Sequence, residues 1–176
     1  MSTKNTIRKI KLFWAWQDNE REEWLRNMSL AGQHLESISS PGMIFNFTKG
    51  EPIEYNYQLD FRLDKNIKMS DYVEFIQDTG WEHIDSYAGW QYFRKPTSSN
   101  QTDVIFTDTQ SKVKKYKRLL AILSLFYPGF LVVFLVNLEK YPDWFAAILV
   151  SVFVLLATFI STSIIGVALR IKKLQG

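Results

Sequence analysis

Strands alternating with helices over residues 1–96, and two long uncharged runs in the last third, predict an α+β fold. Its expected form is a ferredoxin-like βαββαβ domain followed by a two-helix transmembrane hairpin. Charge draws the same boundary. Residues 1–110 hold 12 Lys+Arg against 16 Asp+Glu, whereas residues 111–176 hold 9 against 2, so net charges of −4 and +7 lie on either side. The mean hydropathy of −0.12 averages a polar part with a very apolar one. The basic pI of 9.0 belongs to the C-terminal third alone and does not indicate nucleic-acid binding. With no cysteine, the chain has no disulfide framework, cysteine-ligated zinc, iron–sulfur cluster or thiol nucleophile.

Each element has its own signal. Thr6 to Trp16 alternates, with Arg8, Ile10, Leu12, Trp14 and Trp16 on one face, and reads as a strand. Asn19 with Glu22 three residues on resembles a capping box. Trp24, Leu25, Met28, Ala31 and Leu35 keep a helical period from there, and Pro41-Gly42 closes that helix. Met43 to Lys49 gives a second strand, and Gly50-Glu51-Pro52 a turn. Glu54 to Arg62 alternates cleanly, Tyr55, Tyr57, Leu59 and Phe61 facing one way. Ser70 and Asp71 cap a short helix that Gly80 ends. Trp81 to Lys95 is a hairpin turning near Ala88-Gly89. One antiparallel sheet with both helices on a single face accommodates this order, with a further strand to spare. Residues 97–108 read as a polar linker and 109–118 as a basic juxtamembrane helix.

Leu119 to Leu138 and Trp144 to Leu169 are uncharged runs of 20 and 26 residues, separated by a loop at 139–143. A bilayer core needs about 20 apolar helical residues, so each run is long enough to span. Lys112, Lys114, Lys115, Lys117 and Arg118 precede the first run, and Arg170, Lys172 and Lys173 follow the second. The loop has only Lys140, so the positive-inside bias places both termini, and the tail 170–176, in the cytoplasm. Tyr141 and Trp144 sit where interfacial aromatics belong. The juxtamembrane cations fix topology and are also of the kind that attracts anionic lipid. Pro128-Gly129 falls mid-run and predicts a kink. Thr158, Thr162 and Gly166 recur every four residues, a stripe that packs either against the first helix or against a second copy.

Catalytic signatures are missing. The chain has no glycine-rich phosphate loop, nucleophile elbow or HExxH. His83, with Glu82 and Asp85, offers too few converging ligands for a metal. Asp18, Glu20, Glu22 and Glu23 cluster at a helix start, where they complement the macrodipole. The chain therefore reads as a non-enzyme without a cofactor. Its aromatics suggest an interface instead: Trp81, Tyr87, Trp90, Tyr92 and Phe93 are the candidate partner-binding residues of a free sheet face.

Gly80-Trp81-Glu82-His83-Ile84, then Ser86-Tyr87, then Gly89-Trp90-Gln91-Tyr92-Phe93-Arg94-Lys95 ahead of a basic-flanked double span resembles one bacterial family. It is the domain-of-unknown-function family numbered two-eight-one-two. The resemblance implies a cytoplasmic N-terminal domain before C-terminal membrane helices, and gene neighbourhood with PadR-like transcriptional regulators. It implies no catalytic residue.

Two functions fit. One is a membrane-anchored cytoplasmic regulatory module in envelope or stress signalling that docks a protein, for instance a PadR-like regulator, without binding nucleic acid itself. The other is an oligomeric accessory or pore-forming subunit of a membrane transport or stress system, assembled through Thr158, Thr162 and Gly166.

Overall fold

Gly32 decides where the first helix stops. It adopts φ +70°, and a Cβ there would fall against the Gly50 carbonyl oxygen. Only glycine takes this left-handed, crowded position without strain. Helix α1 therefore spans Asp18–Leu30, and the next seven residues form a strand, β2 (Gln33–Ser39), instead of continuing the helix to Pro41. The computed structural model describes residues 6–62, 68–97, 109–138 and 141–175. It divides into two compact units, Met1–Thr107 and Asp108–Gly176. Residues 98–108, most of the expected linker, lie outside the described residues.

The first unit runs β1 (Thr6–Ile10), α1, β2, β3 (Ile44–Lys49), β4 (Tyr55–Phe61), α2 (Met69–Asp78), β5 (Glu82–Tyr87) and β6 (Trp90–Pro96). These strands do not make one ferredoxin-like sheet. They form two separate antiparallel sheets of three strands, ordered β1-β3-β2 and β4-β6-β5. The added strand β2 causes the difference, because it gives the first segment a strand–helix–strand–strand order of its own. The second segment has the same order and the same strand permutation. The unit is thus two βαββ halves, each with a helix, an αL glycine (Gly32 or Gly80) and a hairpin following in turn.

The helices also lie on different faces. In β6 the adjacent residues Tyr92 and Phe93 point to opposite sides of the second sheet. Tyr92 meets Arg21 of α1, while Phe93 packs on Tyr72 of α2. Helix α1 touches the first sheet as well, its Trp24 ring lying 4.9 Å from Phe45 and 5.6 Å from Phe47. It is wedged between two sheets, whereas α2 covers one outer face with Tyr72 and Ile76 around Trp81 and Phe93.

Local caps differ from those expected. Neither helix has a side-chain cap. Glu22 accepts the Leu59 N–H at 2.7 Å instead of completing a capping box, blocking an edge strand, and Ser70 bonds to Asp71. The first strand stops at Ile10, so the alternation beyond it, through Trp16, belongs to irregular chain. Ile10 and Leu12 of that alternating face are exposed.

The second unit contains α3 (Thr109–Leu138) and α4 (Asp143–Gln175). They pack side by side and antiparallel: Arg170 Nε donates to Tyr116 Oη at 3.3 Å near one end, and Phe134 stacks on Phe153 at 4.1 Å nearer the other. Among the described residues, one helix, Asp143–Gln175, is long and apolar enough to cross a membrane. The transmembrane hairpin is thereby corrected to a helical pair with a single candidate span. Its two helices differ in kind, since α3 begins with five cations among residues 112–118 and contains Pro128, whereas α4 is uncharged from Trp144 to Leu169. Residues 139 and 140 of the expected loop lie outside the described residues; Tyr141 and Trp144 beside it are exposed and meet Phe145.

Candidate functional site

The two halves meet where β2, an edge of one sheet, faces β5, an edge of the other. Both strands are bulged there, between Leu35 and Ser37 and between His83 and Asp85, and no ladder joins them. A bulge displaces backbone donors and acceptors from their regular spacing, which keeps the two edges from zipping together. Two bonds across the seam stand in for the ladder. Ile38 N–H donates to Asp85 at 2.7 Å, and Arg94 Nη1 donates to the Leu35 carbonyl at 3.3 Å.

A groove of about 350 Å³ opens along this seam, lined by residues of both halves. Arg94 organises it through a two-pronged pair with Glu82, at 2.6 and 2.8 Å, and with its guanidinium 4.8 Å from the Tyr55 ring centre. Burial would lower the Arg94 pKa, but hydrogen bonding and charge from Glu82 outweigh it and raise the value. Arg94 therefore acts as a fixed cation. Glu36 accepts from Thr48 at 2.8 Å. His34 sits against Tyr55, its Nε2 bonded to the Glu51 carbonyl at 2.9 Å and its Nδ1 buried without a partner. His83 Nε2 lies 3.1 Å from both Ser86 Oγ and Gln91 Oε1. Among the described residues no three His, Asp or Glu side chains are grouped to hold a metal ion. The groove pairs fixed charge of both signs with two imidazoles and one aromatic wall, a surface suited to recognition.

The aromatic residues expected at an interface lie elsewhere. Trp81, Trp90, Tyr92 and Phe93 are buried, Phe93 completely, and only Tyr87 keeps partial exposure. They form the interior of the second half, because both faces of its sheet are covered by a helix. A free sheet face was expected from a single helix layer, which this unit does not have. The first-turn acids also gain a different role: Asp18 is buried, and Glu22 reaches across to β4. Of the basic residues, Lys114, Lys117, Lys172 and Lys173 are exposed, Lys112, Arg118 and Arg170 are half-buried, and Lys115 is buried. Thr158 and Thr162 are exposed and bond back to the carbonyls of Val154 and Thr158, while Gly166 is partly covered.

His34, Glu36, Thr48, Tyr55 and Arg94 escaped the sequence reading. A signal for them existed in the near-repeat His34-Leu35-Glu36-Ser37 and His83-Ile84-Asp85-Ser86, each following the αL glycine of its half. No curated protein and no solved structure matches the chain. Residues 17–127 match the family described as Protein of unknown function (DUF2812). That match takes in both helices of the first unit, the seam and the Gly80–Lys95 stretch, and covers more than half of the 176 residues, so the chain belongs to this family.

Proposed function

We propose that the chain is a membrane-attached cytoplasmic binding module that docks a protein partner at the seam groove, in envelope or stress signalling. The observation that supports this is the meeting of β2 and β5, two bulged edge strands that leave a charged groove between them. Helix α4 supplies the anchor. Its last turn carries Lys172 and Lys173, and positive-inside bias puts that end in the cytoplasm. The basic start of α3 lies at the same end of the helical pair, through Tyr116 and Arg170.

The net charge of −4 over residues 1–110 suits a basic partner. Charge complementarity of this kind raises association rates more than affinity. A DNA-binding regulator of the PadR-like type, implied by the family resemblance, has that chemistry. Holding it at the membrane would lower its free concentration by mass action. The module then works by binding, with no catalytic step.

A photo-crosslinking residue replacing Glu36 or Ile84, compared with one replacing the exposed Phe75 of α2, tests this in native membranes. Groove positions should trap one basic cytoplasmic protein that Phe75 does not. Identical adducts from all three positions, or none, would overturn the docking site.

A second reading, self-association through Thr158, Thr162 and Gly166 in an accessory or pore-forming subunit, draws on the exposure of the two threonines. Their hydroxyls are spent on their own helix, which favours close packing over conduction. A monomer in mild detergent would end this reading.

A further inference from the structure

Most of the cations of the helical unit stand at one end, and two of them, Lys114 and Lys117, line a second cavity. A cleft of about 500 Å³ lies between the start of α3 and the end of α4, lined by Gln110, Val113, Lys114, Lys117, Leu174 and Gln175. The Arg170–Tyr116 hydrogen bond braces the two helices at that end. Lys114 and Lys117 are exposed, and none of the ion pairs among the described residues involves either. No carboxylate residue occurs in α3, and the one in α4, Asp143, stands at the opposite end of the helix. Two ammonium groups thus face one cavity with no counter-charge from their own helices. The cavity is also amphipathic, since Val113 and Leu174 sit beside two amides that donate hydrogen bonds.

We propose that this cleft holds the headgroup of one anionic phospholipid. Lys114 and Lys117 face the phosphate, Gln110 and Gln175 donate to its oxygens, and Val113 and Leu174 meet the apolar edge of the lipid. The choice of a lipid over a free phosphate follows from position. The cleft closes the end of a helix whose residues Trp144 to Leu169 are uncharged, which puts it at headgroup depth when α4 spans the bilayer. This inference rests on the membrane attachment proposed above and is independent of the seam groove. It makes the basic cluster a site for a single lipid, beyond its part in setting topology.

The test uses the full chain in zwitterionic detergent, titrated with phosphatidylglycerol, with phosphatidylcholine and with inorganic phosphate, retained lipid being counted by native mass spectrometry. One phosphatidylglycerol per chain should be retained in preference to phosphatidylcholine. Each juxtamembrane lysine is worth about fivefold in affinity for an anionic headgroup, so the double variant Lys114→Gln/Lys117→Gln should lose roughly 30-fold. Lys172→Gln/Lys173→Gln removes the same charge from the same end of the unit but outside the cleft lining, and should lose less than about threefold if the cleft is the site.

Equal losses in the two variants would overturn the cleft and leave diffuse attraction. Displacement of the lipid by an equal concentration of inorganic phosphate would overturn the lipid as ligand. Vesicle flotation of the same protein checks the anchor separately: a chain that floats but retains no phosphatidylglycerol refutes the cleft alone, and one that fails to float refutes the attachment on which it rests.

Discussion

Helices α1 and α2 hold equivalent places in two halves of identical strand order, yet their buried faces differ in chemistry. Helix α2 covers one outer face and buries Tyr72 and Ile76 against Trp81 and Phe93, so its inward stripe is apolar. Helix α1 is wedged between two sheets and buries Asp18, Arg21 and Ser29 along with Leu25. The Arg21 guanidinium lies 5.2 Å from the Phe13 ring and 5.3 Å from that of Trp90, while Nη1 donates to Tyr92 Oη at 2.8 Å. Polar residues on the face of α1 that lies between two sheets cannot reach water, so each must find a partner inside. Topology is thus shared by the two halves, and the means of holding it is not.

The largest effect should come from breaking the wedge. Arg21→Ala leaves the buried Tyr92 hydroxyl without its partner and removes the cation from the Phe13 and Trp90 rings, and should cost about 3–5 kcal/mol. Five of the six tryptophans lie in the first unit, so their fluorescence during urea unfolding of the full chain in mild detergent reads this directly. Ile76→Ala, on the outer helix, should cost about 2–4 kcal/mol through a cavity alone. If the two helices responded with the same size and character, the contrast between them would fail.

The matched glycines sharpen the comparison further. Gly32→Ala adds an αL strain to a collision with the Gly50 carbonyl and should cost about 2–4 kcal/mol. Gly80→Ala carries the strain, at φ +86°, but its Cβ would meet only the flexible end of Lys95 at 3.5 Å, so about 1 kcal/mol is expected. Equal losses in the same unfolding assay would mean that the close approach of Gly32 to Gly50 is not a constraint.

The smallest effect is on alkaline stability. Burial pushes the Tyr92 hydroxyl above its ordinary pKa against the pull of Arg21, and does the same to Tyr57 against Arg94. The Tyr57 hydroxyl lies among Arg94, the Leu35 backbone N–H and Ser29 without a well-formed hydrogen bond. A folded state that holds these protons more tightly is fully stabilised below the unfolded tyrosine pKa and loses that stability as pH rises through the folded one. Each group contributes a slope of at most about 1.4 kcal/mol per pH unit in that window. Tyr92→Phe and Tyr57→Phe should each flatten the fall in stability between roughly pH 10 and 12. An unchanged slope in both would remove the contribution of burial at these sites.

How legible the chain was depended on where its elements lie. The hairpin of β5 and β6 turns at Ala88-Gly89, as its composition indicated, because both turn residues adopt positive φ and the flanks alternate. Helix α2 showed its extent through an apolar stripe ended by Gly80. Strand β2 was hidden, since Leu35 continues the period of Trp24, Leu25, Met28 and Ala31 by coincidence, and Gly32 in its midst was the overlooked break. The groove was hidden for a related reason: His34 and His83 lie 49 positions apart, and only the meeting of two edge strands brings their neighbourhoods together.

The division into an acidic polar part and a basic apolar part was settled by the sequence alone, because charge and hydropathy are properties of composition and need no contacts to be read. So was the membrane-length character of Asp143–Gln175, since the width of a bilayer is the same for every chain. The split into two sheets, the burial of Trp90, Tyr92 and Phe93, and the seam between β2 and β5 were decided by tertiary structure. Strand pairing depends on which edges meet and which faces are already covered, and residues far apart in sequence determine both.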